Sequence, residues 1–302
     1  MNILHKMVLA LKGFCMGAAD VVPGVSGGTM AFILGIYPTL LQAIRSFDLE
    51  LLRLLGRGRL CQAQAHAHLG FLIPLLLGDF AALMFFTRIV PLPQLIITDP
   101  EPVYGLFFGL IIGSIIILMR SMPPWRPIGW IQLLVGIALG WFVINLVPMS
   151  TPETPLFVFF SGAVAICAMI LPGISGSFIL VILRKYAYVF DAVGRLDLSI
   201  ILPFAVGAIA GLMVFSRILV WLLKHYYQAT VLAISGILIA SLWAIWPFQQ
   251  RLYETVRDKP RLIASTPVWP SSWDGSIVLS LALMLTGLVV VLLISHLAGR
   301  KD

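Results

Sequence analysis

Charge is scarce in this chain of 302 residues: Asp, Glu, Lys and Arg together make up 11% of it, against 60% hydrophobic residues. So few charges cannot cover a soluble surface, and a mean hydropathy of +1.02 excludes a water-soluble globular domain. The formal net charge of +7 is then no sign of nucleic-acid binding. Most Lys and Arg stand in links between apolar runs, where they orient helices and meet anionic lipid. Cys15, Cys61 and Cys167 are far apart, without metal-ligand spacing, and read as small buried hydrophobes. The histidines, His5, His66, His68, His225 and His296, lie in links or near the ends of apolar runs, so no metal is expected. The short alternating segments of a barrel are missing too, and no P-loop lysine follows the glycines, which leaves nucleotide binding and other cofactors without support.

What is present is long apolar runs joined by short polar links, the pattern of an all-α polytopic membrane protein. One polar, glycine-rich break recurs within them: Pro23-Gly24-Val25-Ser26-Gly27-Gly28 and Pro172-Gly173-Ile174-Ser175-Gly176-Ser177. Pro23 disfavours helix at Val22, and Ser26 is positioned to cap a new helix starting at Gly27 or Gly28. Lys12 interrupts the N-terminal apolar run just before the break, so that run reads as an uncleaved first segment rather than a signal peptide.

The chain divides into two repeats, 1–150 and 151–302. The first holds a hairpin at 1–45 and spans at 69–90, 103–120 and 129–148. The second holds a hairpin at 156–193 and spans at 198–223, 229–247 and 276–297. An arm over 29–44 is about 24 Å long against a hydrocarbon core of about 30 Å, which favours hairpins that turn back inside the bilayer. Link 45–68, with Arg45, Arg53, Arg57 and Arg59, reads as an interfacial cytoplasmic helix. The run from Pro74 to Arg88 aligns without gaps on that from Pro203 to Arg217, and Gly109–Ser114 resembles Gly236–Ser241. One hairpin and three spans give an odd number of crossings, so the halves are expected to be inverted, with both termini cytoplasmic and the two tips meeting near the midplane. That is the plan of secondary transporters.

At such tips, backbone N–H groups around Gly27, Gly28 and Thr29, and around Gly176, Ser177 and Phe178, together with the hydroxyls of Ser26, Thr29, Ser175 and Ser177, can hold an anion. Arg88 and Arg217 occupy equivalent positions. Two arginines and two helix ends of about half a charge each make about +3, against about −1.5 to −2 for a phosphate monoester. Asp20 and Asp79 are candidates for proton coupling, with simple pairing to Lys12 or an arginine as the alternative. Ser26 also sits in a G-x-S-x-G context, but no base stands near it in sequence, so a serine hydrolase is the weaker reading and no enzyme is expected. A transporter or channel for small soluble anions is the other alternative.

Gly17-Ala-Ala-Asp20-Val-Val-Pro23-Gly-Val-Ser-Gly-Gly-Thr29, then Gly35-Ile-Tyr37, and Leu171-Pro-Gly-Ile-Ser-Gly-Ser-Phe178 resemble the paired signatures of the bacterial polyprenyl-phosphate transporter family. The resemblance implies a protein of the bacterial plasma membrane that returns undecaprenyl phosphate, the lipid carrier of cell-wall sugars, from the outer to the inner leaflet. Its partners would be that lipid and the bilayer, not nucleic acid. The oligomeric state is left open between a monomer and a homo-oligomer.

Overall fold

The computed structural model describes residues 3–22, 25–90, 92–122, 124, 126–146, 151–256, 259–270 and 273–298. Pro23 and Gly24, the start of the first break, lie outside the described residues. In chain order the helices are α1 (Ile3–Asp20), α2 (Gly27–Ile33), α3 (Tyr37–Arg45), α4 (Leu49–Gly56), α5 (Leu60–His66), α6 (Leu69–Arg88), α7 (Leu92–Thr98), α8 (Pro100–Ser121), α9 (Ile128–Ile144), α10 (Pro155–Ile170), α11 (Gly176–Ile182), α12 (Tyr186–Arg195), α13 (Leu198–His225), α14 (Tyr227–Ala244) and α15 (Gly275–Ala298). Between α14 and α15, strands β1 (Gln249–Val256) and β2 (Lys259–Pro267) pair antiparallel, where the sequence suggests only a mixed-charge link. Among the described residues five helices, α6, α8, α13, α14 and α15, are long and apolar enough to cross a bilayer, and α9 and α10 are shorter apolar helices. The chain is an all-α polytopic membrane protein.

Four helix pairs make the bundle: α1 with α6, α10 with α13, α8 with α15, and α9 with α14. Glycine sets each crossing. A Cβ added at Gly78 would stand 1.8 Å from Ala10 O, and one at Gly13 would stand 1.9 Å from Leu75 O. The aligned positions repeat this, with Gly207 1.9 Å from Phe159 O and Gly162 2.3 Å from Phe204 O. The other two pairs follow the same rule, through Gly109 against Met284 O and Gly287 against Leu106 O, and through Gly136 against Ala233 O and Gly236 against Leu133 O. In every pair, each glycine meets the carbonyl three residues before its partner glycine. Lipid tails are as apolar as leucine, so helix association in a bilayer depends on such close backbone approach. Contacts ascend together along each pair, Gly13 at Leu75 and Gly17 at Asp79, or Gly136 at Ala233 and Gly140 at Ala240, so the paired helices are parallel.

The return arms differ from the sequence reading. Neither 29–44 nor 178–193 is one helix: α2 and α11 are seven residues each, and each ends in a sharp turn before α3 or α12. Both turns are Schellman motifs. Ile36 N–H donates to Ala31 O and Gly35 N–H to Phe32 O; likewise Lys185 N–H donates to Leu180 O and Arg184 N–H to Val181 O. The left-handed residue is Gly35 (φ +68°) in the first turn but Arg184 (φ +52°) in the second. A side chain in that conformation costs about 1–2 kcal/mol. Arg184→Gly is therefore expected to raise the thermal unfolding midpoint of the purified protein; an unchanged or lower midpoint would contradict this account of the turn.

Link 45–68 holds two short helices instead of one. Asp48 Oδ1 accepts from Glu50 N (3.0 Å) and Leu51 N (3.1 Å), capping α4, and lies 3.0 Å from His66 Nε2 at the end of α5. What burial there is works to raise the Asp48 pKa, but the bonds from Leu51, His66 and Glu50 outweigh it and hold the carboxyl below its ordinary range. Leu49, Leu52, Leu55 and Leu60 are exposed, as are Arg45, Arg53, Arg57 and Arg59, the composition of a surface that lies against lipid headgroups.

Candidate functional site

The two breaks meet. Gly173 N–H, in the second break, donates to Thr29 Oγ1 at 2.9 Å, and Ser26 Oγ–H donates to Met169 O at 3.1 Å. Tyr37 adds a third link, its hydroxyl donating to Ile170 O at 3.1 Å. Ser26, Thr29 and Tyr37 are buried, with relative exposures of 2%, 1% and 1%. Gly28 is required here, since a Cβ would stand 2.8 Å from Ile170 O. The first tip is thus seated on the end of α10, with three hydroxyl groups joining the two hairpins. Tyr37 belongs to the Gly35-Ile-Tyr37 segment, yet its hydrogen-bonding role is not legible without the turn at Gly35 that brings it back to the tip.

The tips are chemically unlike. At the first, Ser26 caps α2 as expected, accepting from Gly28 N at 3.1 Å. Asp20 Oδ1 also accepts from Gly27 N at 2.7 Å. The protein's own carboxylate therefore takes an N–H group that the sequence reading offers to an external anion. A helix N-terminus favours a carboxylate, so the pairing satisfies an N–H that would otherwise lack a partner. At the second tip the aligned residue is Met169. Ser175 precedes α11 without capping it; its Oγ instead lies 2.8 Å from Ser177 Oγ, and Ser177 is exposed. Gly176 is buried against Ala165 O, which leaves no room for a side chain.

Asp79 packs at Gly17, where an added Cβ would lie 2.9 Å from its Oδ1, so both carboxylates lie along the last turn of α1. Among the described residues Asp20 has no ion pair with Lys12 or an arginine. Lys12 Nζ donates to Leu34 O at 2.8 Å, at the end of α2, where a cation complements the helix dipole. In the second half the aligned carbonyl, Leu183 O, accepts from Thr151 Oγ1, while buried Lys185 donates to Thr151 O at 3.0 Å and faces the rings of Phe157 and Tyr188. Neither Lys12 nor Lys185 stands out in the sequence as a turn-closing residue, because each reaches its turn through contacts that spacing along the chain does not show.

Arg88 and Arg217 are not drawn into this cluster. Both are exposed, Arg88 on the outward stripe of α6 with Leu77, Phe80 and Met84, and Arg217 on that of α13 with Val214, Ile218 and Trp221. Ser26 has both hydrogen bonds committed to backbone groups, an arrangement that suits a structural cap rather than a base-activated nucleophile.

These features define a class: a multi-pass helical membrane protein whose two interrupted hairpins are joined at their tips by buried hydroxyls. A family model described as undecaprenyl phosphate translocase-like matches residues 16–263, and the chain belongs to that family. It is 38% identical to a polyprenyl-phosphate transporter of Vibrio cholerae serotype O1 over 294 residues, covering 93% of this chain and 94% of that protein. It is 31% identical to a polyprenyl-phosphate transporter of Staphylococcus aureus over 261 residues, covering 80% of this chain and 87% of that one. No solved structure matches.

Proposed function

We propose that this protein carries undecaprenyl phosphate from the outer to the inner leaflet, holding the phosphate between the two tips and recycling the lipid carrier of cell-envelope sugars. The observation that carries the reading is the junction of the duplicated breaks through Thr29 and Gly173. At the second tip Ser175, Gly176 and Ser177 offer hydroxyl and N–H donors, with Met169 where the first tip has Asp20. At the first, Gly27 N–H completes the cradle once phosphate takes the place of Asp20, while Ser26, Gly28 and Thr29 hold the tip in position. Displacing that carboxylate gives it reason to take up a proton, so Asp20, with Asp79 beside it, is the coupling group. Arg88 and Arg217, on lipid-facing stripes, meet the headgroup as it enters and leaves, while the tail stays in the bilayer.

Helix direction supports inverted halves. If α6, α8 and α9 cross alternately, then α14, parallel to α9, and α15, parallel to α8, run opposite to their aligned helices α8 and α9. Helices α10 and α13 then run opposite to α1 and α6, and the two hairpins approach from opposite faces.

The test is leaflet-resolved movement of undecaprenyl phosphate in liposomes containing the purified protein, with undecaprenol and inorganic phosphate for comparison. Transfer of the lipid phosphate but not of undecaprenol is expected; movement of inorganic phosphate alone would overturn the lipid assignment.

A further inference from the structure

The ends of α9 and α14 enclose, with the segment after β2, a groove of about 460 Å³ whose walls include Phe108, Ile137, Trp141, Ala240, Trp243 and Trp246. Its lining is almost wholly apolar. Four of the chain's eight tryptophans stand here, Trp141, Trp243, Trp246 and Trp269. Their rings meet edge-on or tilted, Trp141 with Trp243 at 5.2 Å and Trp246 with Phe108 at 5.3 Å and Trp269 at 5.4 Å. The Trp246 indole N–H is already spent on Val268 O at 3.1 Å, so it offers no donor to a headgroup.

Two observations point to an occupant. The groove lies one helical turn from the tip: Gly173 rests on Ile237 of α14, and Ala240, in the groove wall, is three residues on, about 4.5 Å along the helix. The aromatic lining is also not needed for packing. The glycine crossings align α14 with α8 and α9 with α15, and there the places of Trp243, Trp246 and Trp141 are taken by Ile116, Met119 and Leu292. The same glycine crossing carries aliphatic residues at these places in the α8–α15 pair and an aromatic trough in the α9–α14 pair.

We propose that this trough seats the isoprenoid chain of the lipid next to its phosphate, on the face from which α10 approaches the tip. The proposal rests on the transport reading above. A single methyl-branched, unsaturated chain can lie along the ring faces while its phosphate stays at the second tip beside Ser175 and Ser177. The tryptophans therefore select the tail where the serines hold the headgroup.

The experiment uses the full chain in lipid nanodiscs and a polyprenyl phosphate bearing a photoreactive group on the isoprenoid unit adjoining the phosphate. Labelled peptides containing Trp141 or Trp243 are expected, displaced by undecaprenyl phosphate and not by a diacyl phosphatidic acid. In parallel, Trp243→Leu should weaken undecaprenyl phosphate binding about tenfold and leave inorganic phosphate binding unchanged. Failure of the unaltered protein to bind undecaprenyl phosphate overturns the transport reading and this proposal together. Binding with the label elsewhere, or equal displacement by phosphatidic acid, overturns the proposal alone.

Discussion

Gly78→Leu is expected to leave almost no folded protein in the membrane. The first atom of the new side chain would lie 1.8 Å from the Ala10 carbonyl oxygen, with the Phe14 amide nitrogen 2.9 Å away. These are backbone atoms of α1, so no rotamer change relieves the clash and the two helices must part. Overpacking a core costs about 1–3 kcal/mol where side chains can yield, and more is expected here because they cannot. Gly207→Leu should behave alike, because it meets Phe159 O at 1.9 Å. Gly194→Ala is the control: nothing lies within 4 Å of its added Cβ, and it should gain about 0.8–1 kcal/mol from helix propensity. The yield of monodisperse protein after extraction and its thermal midpoint measure all three. Normal yield and melting of Gly78→Leu would show that the α1–α6 crossing is looser than described.

Thr29→Val is expected to slow lipid transfer about tenfold in liposomes without preventing folding. Valine fills the same volume, but Gly173 N–H, buried at the junction, loses its acceptor at 2.9 Å. A buried donor left without a partner costs about 1–3 kcal/mol, which lowers the population of the joined-tip state several-fold to a hundredfold relative to states in which the tips part. Thr29→Ser keeps the oxygen and should retain most of the rate. Equal rates for Thr29→Val and the unaltered protein would mean that joining of the tips is not part of the transport cycle.

How much of this was legible in the sequence differs from element to element. The duplicated break, the apolar runs and the glycine positions at 78 and 207 are visible because membrane packing writes them as composition. The turn at Gly35 has a signal, a glycine closing a short apolar helix. Its partner at Arg184 has none, since only the surrounding hydrogen bonds hold an arginine in a left-handed conformation. The bond from Gly27 to Asp20 joins two different helices, a contact that spacing along the chain does not announce, so the carboxylate reads as an isolated intramembrane charge and not as a helix cap. The equivalence of Arg88 and Arg217 is apparent from the alignment, whereas their outward direction depends on which face of each helix the glycines turn toward a neighbour.

The four crossings carry a consequence for how the chain can be taken apart. Two of them, α1 with α6 and α10 with α13, join helices of the same half. The other two, α8 with α15 and α9 with α14, exchange helices between halves. A cut in the 145–154 segment would thus give neither fragment a complete set of partners, and each would expose two glycine seams to lipid until it found the other. Severed halves should accumulate only when produced together, and should then copurify. In terms of connectivity the seams run elsewhere: the four interlaced helices form one group, and each hairpin forms another with its own long helix, α1 with α6 and α10 with α13.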